Sequence, residues 1–111
     1  MSGTYSRLQC KEDRSLQDII RSLNGISGAE RVSTVHHTFS DGEVFLLVYE
    51  KYYFRVGGYA SLTVQLAKQE GLITADVIGS GGGDGIFNHS LGANRKFAKE
   101  CIDILQTLGF R

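Results

Sequence analysis

Four β-prone runs follow one another between residues 30 and 80, and each junction holds only a short turn signal with glycine in it: Asp41-Gly42, Gly57-Gly58 and Glu70-Gly71. Short turns permit only antiparallel neighbours, because a parallel return needs a dozen residues or more. The chain has no proline and fourteen glycines, so glycine must make its reversals. The runs are about 30–39, 43–56, 60–68 and 72–80, and β-branched and aromatic residues dominate the second of them. They spell an antiparallel meander.

Helical signals flank the meander. Leu16, Ile19, Ile20 and Leu23 fall on one stripe behind Ser15, and Asn24-Gly25 follows as a stop. A final helix is expected to start between Ser90 and Ala93, to bury Ala98, Cys101, Ile102, Leu105 and Leu108, and to end at Gly109. Residues 4–10 form a weak first strand, and Ile86-Phe87 a short apolar piece. The fold class is therefore α+β: a two-layer sandwich in which an antiparallel β-meander of four main strands plus short edge pieces carries an N-terminal and a C-terminal helix on one face. The 111 residues suit a single domain spanning 1–111, with 41% hydrophobic and 22% charged residues, as in ordinary globular chains.

Alternation assigns the sheet faces. A tight turn at Asp41-Gly42 puts Val35 and Phe39 with Val44, Leu46 and Val48. Another at Glu70-Gly71 puts Leu62, Val64 and Leu66 with Ile73, Ala75 and Val77. A three-residue loop at 57–59 joins the two sets into one helix-covered face, to which Tyr52 and Phe54 belong, and leaves Phe45, Leu47 and Tyr49 facing out. It also sets Glu50 on the core side, opposite Leu66. A two-residue loop at Gly57-Gly58 would instead set Lys51 there, opposite Val64. In either register one charge adjoins the core, and a peripheral salt bridge with a lysine or arginine of a helix is the expected remedy.

The strand Tyr49-Glu50-Lys51-Tyr52-Tyr53-Phe54-Arg55, then Ala60-Ser61-Leu62-Thr63-Val64, then Ile78-Gly79-Ser80 with its glycine run closing on Gly85-Ile86-Phe87-Asn88, resemble a family of small bacterial proteins known as domain of unknown function 6054. The likeness runs from the first helix to the last. It implies a bacterial, intracellular, stand-alone domain. It supplies no activity and no catalytic residue.

No chemical motif stands out. Residues 79–85, Gly-Ser-Gly-Gly-Gly-Asp-Gly, could cradle an anion with backbone amides, and Gly81, Gly83 and Asp84 are the candidates there. A P-loop, however, needs lysine after its last glycine, where Ile86 stands, and the dinucleotide spacing lands on Asp84. Gly-Ser80-Gly is not a nucleophile elbow. His36 and His37, adjacent in a strand, point to opposite faces, and no metal spacing joins them to His89, Cys10 or Cys101. The sequence gives no catalytic residue, metal or cofactor.

The row Tyr49, Lys51, Tyr53 and Arg55 alternates aromatic and basic groups as a sheet that stacks bases would. Twelve basic and twelve acidic residues cancel, which argues against nucleic acid. No apolar run approaches membrane-spanning length, the first residues have no apolar signal core, and the cytoplasm is expected, with both thiols reduced. The reading is a non-enzymatic binding or self-association module that uses its outer sheet face, with Phe45, Leu47, Tyr49 and Tyr53 as the contact of a homodimer. The alternative is a small-molecule-binding or enzymatic domain centred on the loop 79–85, with Glu50, Asp84 or His89 contributing.

Overall fold

The computed structural model describes residues 3–55, 57–81 and 91–111. Strand β1 (Gly3–Cys10) leads to α1 (Leu16–Leu23), then β2 (Glu30–Phe39), β3 (Gly42–Tyr53), β4 (Gly58–Gln69), β5 (Leu72–Gly81) and α2 (Leu91–Thr107). The strands form one antiparallel sheet in the order β1-β5-β4-β3-β2. The meander β2 to β5 is the one the turns dictate. The weak first run is a full edge strand of eight residues, beside β5. The apolar stripes of both helices lie on one face of the sheet, so the molecule has two layers.

Local chemistry accounts for the helix ends. Ser15 is extended and its hydroxyl accepts from the Asp18 N–H, so it caps α1. Asn24 closes that helix by donating its N–H to the Ile20 carbonyl. At the end of α2, Gly109 sits at φ +100, with Phe110 N–H to Leu105 O at 3.0 Å and Gly109 N–H to Gln106 O at 3.1 Å. These two bonds make a Schellman ending, and they swing Phe110 into the core. Arg111 then exchanges two backbone hydrogen bonds with Gln9, at 2.9 and 3.0 Å, along the free side of β1.

Helix α2 lies over β5, β4 and β1 and touches α1. Its approach to β5 is close enough to require glycine. A Cβ on Gly79 would stand 2.5 Å from the Asn94 carbonyl oxygen and 3.3 Å from Ala98 Cβ. The first glycine of the glycine run thus serves helix–sheet packing. The buried side of α2 begins one turn earlier than its stripe suggests, at Ala93, Asn94 and Phe97, while Ile102 and Leu108 are only half-buried.

Two of the three hairpins have the expected face relations. Val35 faces Leu46 across β2 and β3, and Val64 faces Val77 across β4 and β5. The third corrects the sequence reading. Strands β3 and β4 close at Tyr53 opposite Gly58, with four residues between them, and not around 57–59. That shift reverses β3 relative to β4. Phe45, Leu47 and Tyr49 pair with Leu66, Val64 and Leu62 and are buried beneath the helices. Val44, Leu46 and Val48 face away. Glu50 is exposed on the outer face, and Lys51 takes the helix side.

The β4–β5 turn shows both central residues at positive φ, Glu70 at 51° and Gly71 at 78°. This matches the type I′ turn, which favours asparagine or glycine at its first central position. A glutamate held there is strained by about 1 kcal/mol. Glu70→Asn should raise stability by about 0.5–1 kcal/mol in urea unfolding, and a lower midpoint would contradict this turn geometry.

Candidate interaction surface

The face turned away from the helices carries Tyr5, Arg7, Asp76, Ile78, Thr63 and Gln65 on its β1–β4 side, and Leu46, Val48, Val35, His37 and Phe39 on its β3–β2 side. Nothing in the described chain crosses this face. Tyr5 is 59% exposed, Ile78 42%, Val35 45% and Phe39 56%. At the β3–β4 end, Tyr52 meets Phe54 and Tyr59 edge-on, at ring distances of 5.0 and 5.2 Å, and all three lie open to solvent.

Charge on this surface is largely self-cancelled. Asp76 accepts from Arg7 Nε at 2.7 Å, Arg7 Nη2 at 3.2 Å and the Tyr5 hydroxyl at 2.7 Å. Cross-strand pairing produces this triad, because Arg7 is the register partner of Asp76 and Tyr5 the next outward residue on β1. The Arg7 hydrogen bond holds the Asp76 carboxyl below its usual range, and the Asp76 bond pushes the Tyr5 hydroxyl up. With Leu46, Thr63, Gln65 and Ile78 these residues line a shallow depression of about 260 Å³. Its carboxylate is already committed to three donors, so the arrangement offers contact area and not a free acid or base.

The chain belongs to the family of unknown function DUF6054. That family's model matches residues 1–109 of the 111. No curated protein and no solved structure matches the chain.

In this DUF6054 chain Tyr49, Lys51 and Tyr53 of the expected aromatic and basic row share one side of the sheet, but that side is the covered one. Tyr49 is 1% exposed and its hydroxyl donates to Asn24 Oδ1 at 2.9 Å. Burial pushes that hydroxyl up to about 12, with Arg31 pulling the other way. Lys51 Nζ reaches both oxygens of Glu100, at 3.1 and 3.2 Å, and the Tyr53 hydroxyl donates to the same carboxylate at 3.2 Å. Burial first, then Glu100, raises the Tyr53 hydroxyl. The charge beside the core is therefore lysine, paired with a glutamate of α2. Arg55 lies exposed in the turn. Phe45, Leu47, Tyr49 and Tyr53, expected as an outward association patch, face the helices.

Gly81 ends β5 at φ +74, and its carbonyl accepts from Asn94 Nδ2 at 3.2 Å, while Thr4 Oγ1 donates to Asn94 Oδ1 at 2.9 Å. Gly83, Asp84, His89 and the piece Ile86-Phe87 lie outside the described residues. His36 and His37 point to opposite faces: His36 stacks on Phe45 and meets Glu43 at 2.7 Å, and His37 lies near Phe39. Among the described residues no group of three or more His, Cys, Asp or Glu could hold a metal ion, and no helix is long and apolar enough to cross a membrane. Cys10 and Cys101 are free and buried, and burial pushes the Cys101 thiol up to about 12, far from a reactive thiolate.

Sequence reasoning missed the Tyr5–Arg7–Asp76 triad. Its signal was present in the alternation of Tyr5 and Arg7 with Leu8 and Cys10, which marks a half-buried edge strand. Because the folded Asp76 has the depressed value, its contribution to stability is present above the ordinary value of 3.8 and is lost as pH falls below it. Asp76→Asn should therefore cost about 1 kcal/mol or less near neutrality, and the gap from wild type should narrow in acid, as pH falls below 3.8. Urea unfolding near neutrality and in acid checks this, and a gap that widened in acid would contradict it.

Proposed function

We propose that this chain is a non-enzymatic self-association module, in which the outer sheet face packs on the same face of a second copy. The observation that carries this is the one-sided placement of both helices over a sheet whose third strand is apolar on its two faces. Five strands about 4.8 Å apart and about ten residues long present roughly 800 Å². That is about the area each partner contributes to a standard stable interface. Large apolar side chains spread across the face supply the drive, since fully burying one is worth about 1.5–3 kcal/mol. Two such faces pack about 10 Å apart with strands roughly 30° askew, as in β-sandwiches. The Arg7–Asp76 pair lets the β1–β5 side of the face enter a contact without a lone charge, and Glu50 and Glu30 sit at the opposite margin.

The same features speak against the other readings. Single-stranded nucleic acid needs free cations beside the rings, and on the described outer face Arg7 is already held by Asp76. For a site on the glycine run, the described glycines have other uses: Gly79 admits α2, and Gly81 is bonded by Asn94. Two buried, unpaired thiols suit a reducing cytoplasm.

Sedimentation at tens of micromolar tests the proposal. Wild type should show a mass of at least two chains. Leu46→Glu and Ile78→Glu should each halve that mass while the far-ultraviolet circular dichroism stays unchanged, because both residues face away from the helices. A wild-type mass of one chain, or folded variants that keep the full mass, would contradict it.

A further inference from the structure

The two edges of the sheet are treated differently. At β1 the chain's own end closes part of the edge, through the paired hydrogen bonds of Gln9 and Arg111. At β2 all ten residues are exposed. Natural edge strands are blunted by lysine, proline, charge or a bulge. Strand β2 has its charges, Glu30 and Arg31, and its bulge, between Arg31 and Ser33, all at one end. Residues 33–39, Ser-Thr-Val-His-His-Thr-Phe, carry no lysine, no proline and no acidic group.

The hairpin tells which backbone groups of this stretch are free. Phe39 and Gly42 close a two-residue loop, which makes them a hydrogen-bonded pair. Alternate residues back along the strand, His37, Val35 and Ser33, therefore turn their N–H and C=O toward β3. Thr38, His36 and Thr34 turn theirs to the open edge. The side chain of His36 does not obstruct that edge, because its ring stacks on Phe45 at 3.9 Å and its Nε2 meets Glu43, both on β3.

From this geometry we infer that β2 pairs antiparallel with β2 of a second copy, about a two-fold axis at His36. The bulge ends the regular stretch on one side and the hairpin turn ends it on the other. Residues 33–39 pair with themselves over their full length in one register only, with Ser33 opposite Phe39 and Thr34 opposite Thr38. That register brings together all three residues with outward backbone groups, for roughly six interchain hydrogen bonds. The bulge takes up one residue, so Arg31 falls one step beyond Ser33, at the level of Ser40 of the second copy and next to its Asp41, and opposite charges meet at both ends of the seam. Asp41 is free to take this role with Oδ1, since Gln69 binds its other oxygen. Val35 comes beside His37 of the second copy, which makes the outer faces of the two sheets continuous.

The edge contact and the face contact use different residues and are tested apart. Thr34→Pro removes an N–H that β3 does not use and places a ring on the seam, a substitution edge strands accept. Thr38→Lys puts a charge there and serves if the proline variant fails to fold. Each variant should halve the wild-type mass in sedimentation. In hydrogen exchange, the amides of Thr34, His36 and Thr38 should be protected in the associated wild type and should open in either folded variant, while Val35 and His37 stay protected throughout. If both contacts form, Ile78→Glu halves the mass but leaves those three amides protected. If Ile78→Glu removes all association, or the three amides exchange freely in the associated wild type, the edge pairing is overturned and the face reading stands. If Ile78→Glu changes nothing and Thr34→Pro splits the assembly, the edge pairing stands alone. A chain that stays at one-copy mass, whatever other strand it takes up, overturns the pairing.

Discussion

Tyr53 and Gly58 face each other across the β3–β4 hairpin, and every side chain of β3 takes its face from that pairing. Side chains alternate with period two, so one residue more or less in the loop would send Phe45, Leu47 and Tyr49 out and bring Val44, Leu46 and Val48 in. The observed register buries the bulkier set. It is also the register in which polar groups find partners: Tyr49 reaches Asn24 at the end of α1, and Lys51 and Tyr53 converge on Glu100 of α2. Removing one partner of a buried polar pair costs about 1–3 kcal/mol, so these bonds between sheet and helices reinforce the choice that apolar burial makes.

The same choice creates the outer surface. Strand β3 is apolar on both faces, and two helices of 8 and 17 residues cover one side of five strands. The remainder is left to solvent or to another molecule. Its self-cancelling ion pair, its area and its continuity with the open β2 edge are what support the second copy proposed as its cover. The covered side, by contrast, is where Tyr49, Lys51 and Tyr53 lie, locked to helix residues and unavailable to bases or phosphates.

Much of this was legible in local pattern. Ser15 starts α1 because a hydroxyl cap is a local signal, and Gly109 ends α2 because a left-handed position calls for glycine. Asn24-Gly25 mark the end of α1 without the left-handed geometry expected of them, Asn24 staying at φ -64. Short glycine turns fixed the antiparallel order of β2 to β5. What local pattern does not encode is the length of a loop that follows a strand apolar on both sides, as β3 is. Gly57 and Gly58 both invite a turn, and the strand run continues through Phe54, which is 90% exposed and belongs to the loop. The pairing of Lys51 with Glu100 spans 49 residues and follows only once that register is known. Phe97 was overlooked because the stripe of α2 was counted from Ala98, and the fit of Gly79 under Asn94 depends on where α2 crosses the sheet, which is a tertiary fact. The β1–β5 pairing likewise joins the first strand to the last, beyond the reach of turn chemistry.

Everything argued for the outer face and the β2 edge rests on the sidedness of β3. Nuclear Overhauser contacts of that strand measure it directly and do not depend on association. The account predicts contacts from the Leu47 methyls and the Tyr49 ring to protons of α1 and α2, and none from Leu46 or Val48 to either helix. Helix contacts from Leu46 and Val48, with Leu47 and Tyr49 showing none, would reverse the sheet and contradict it.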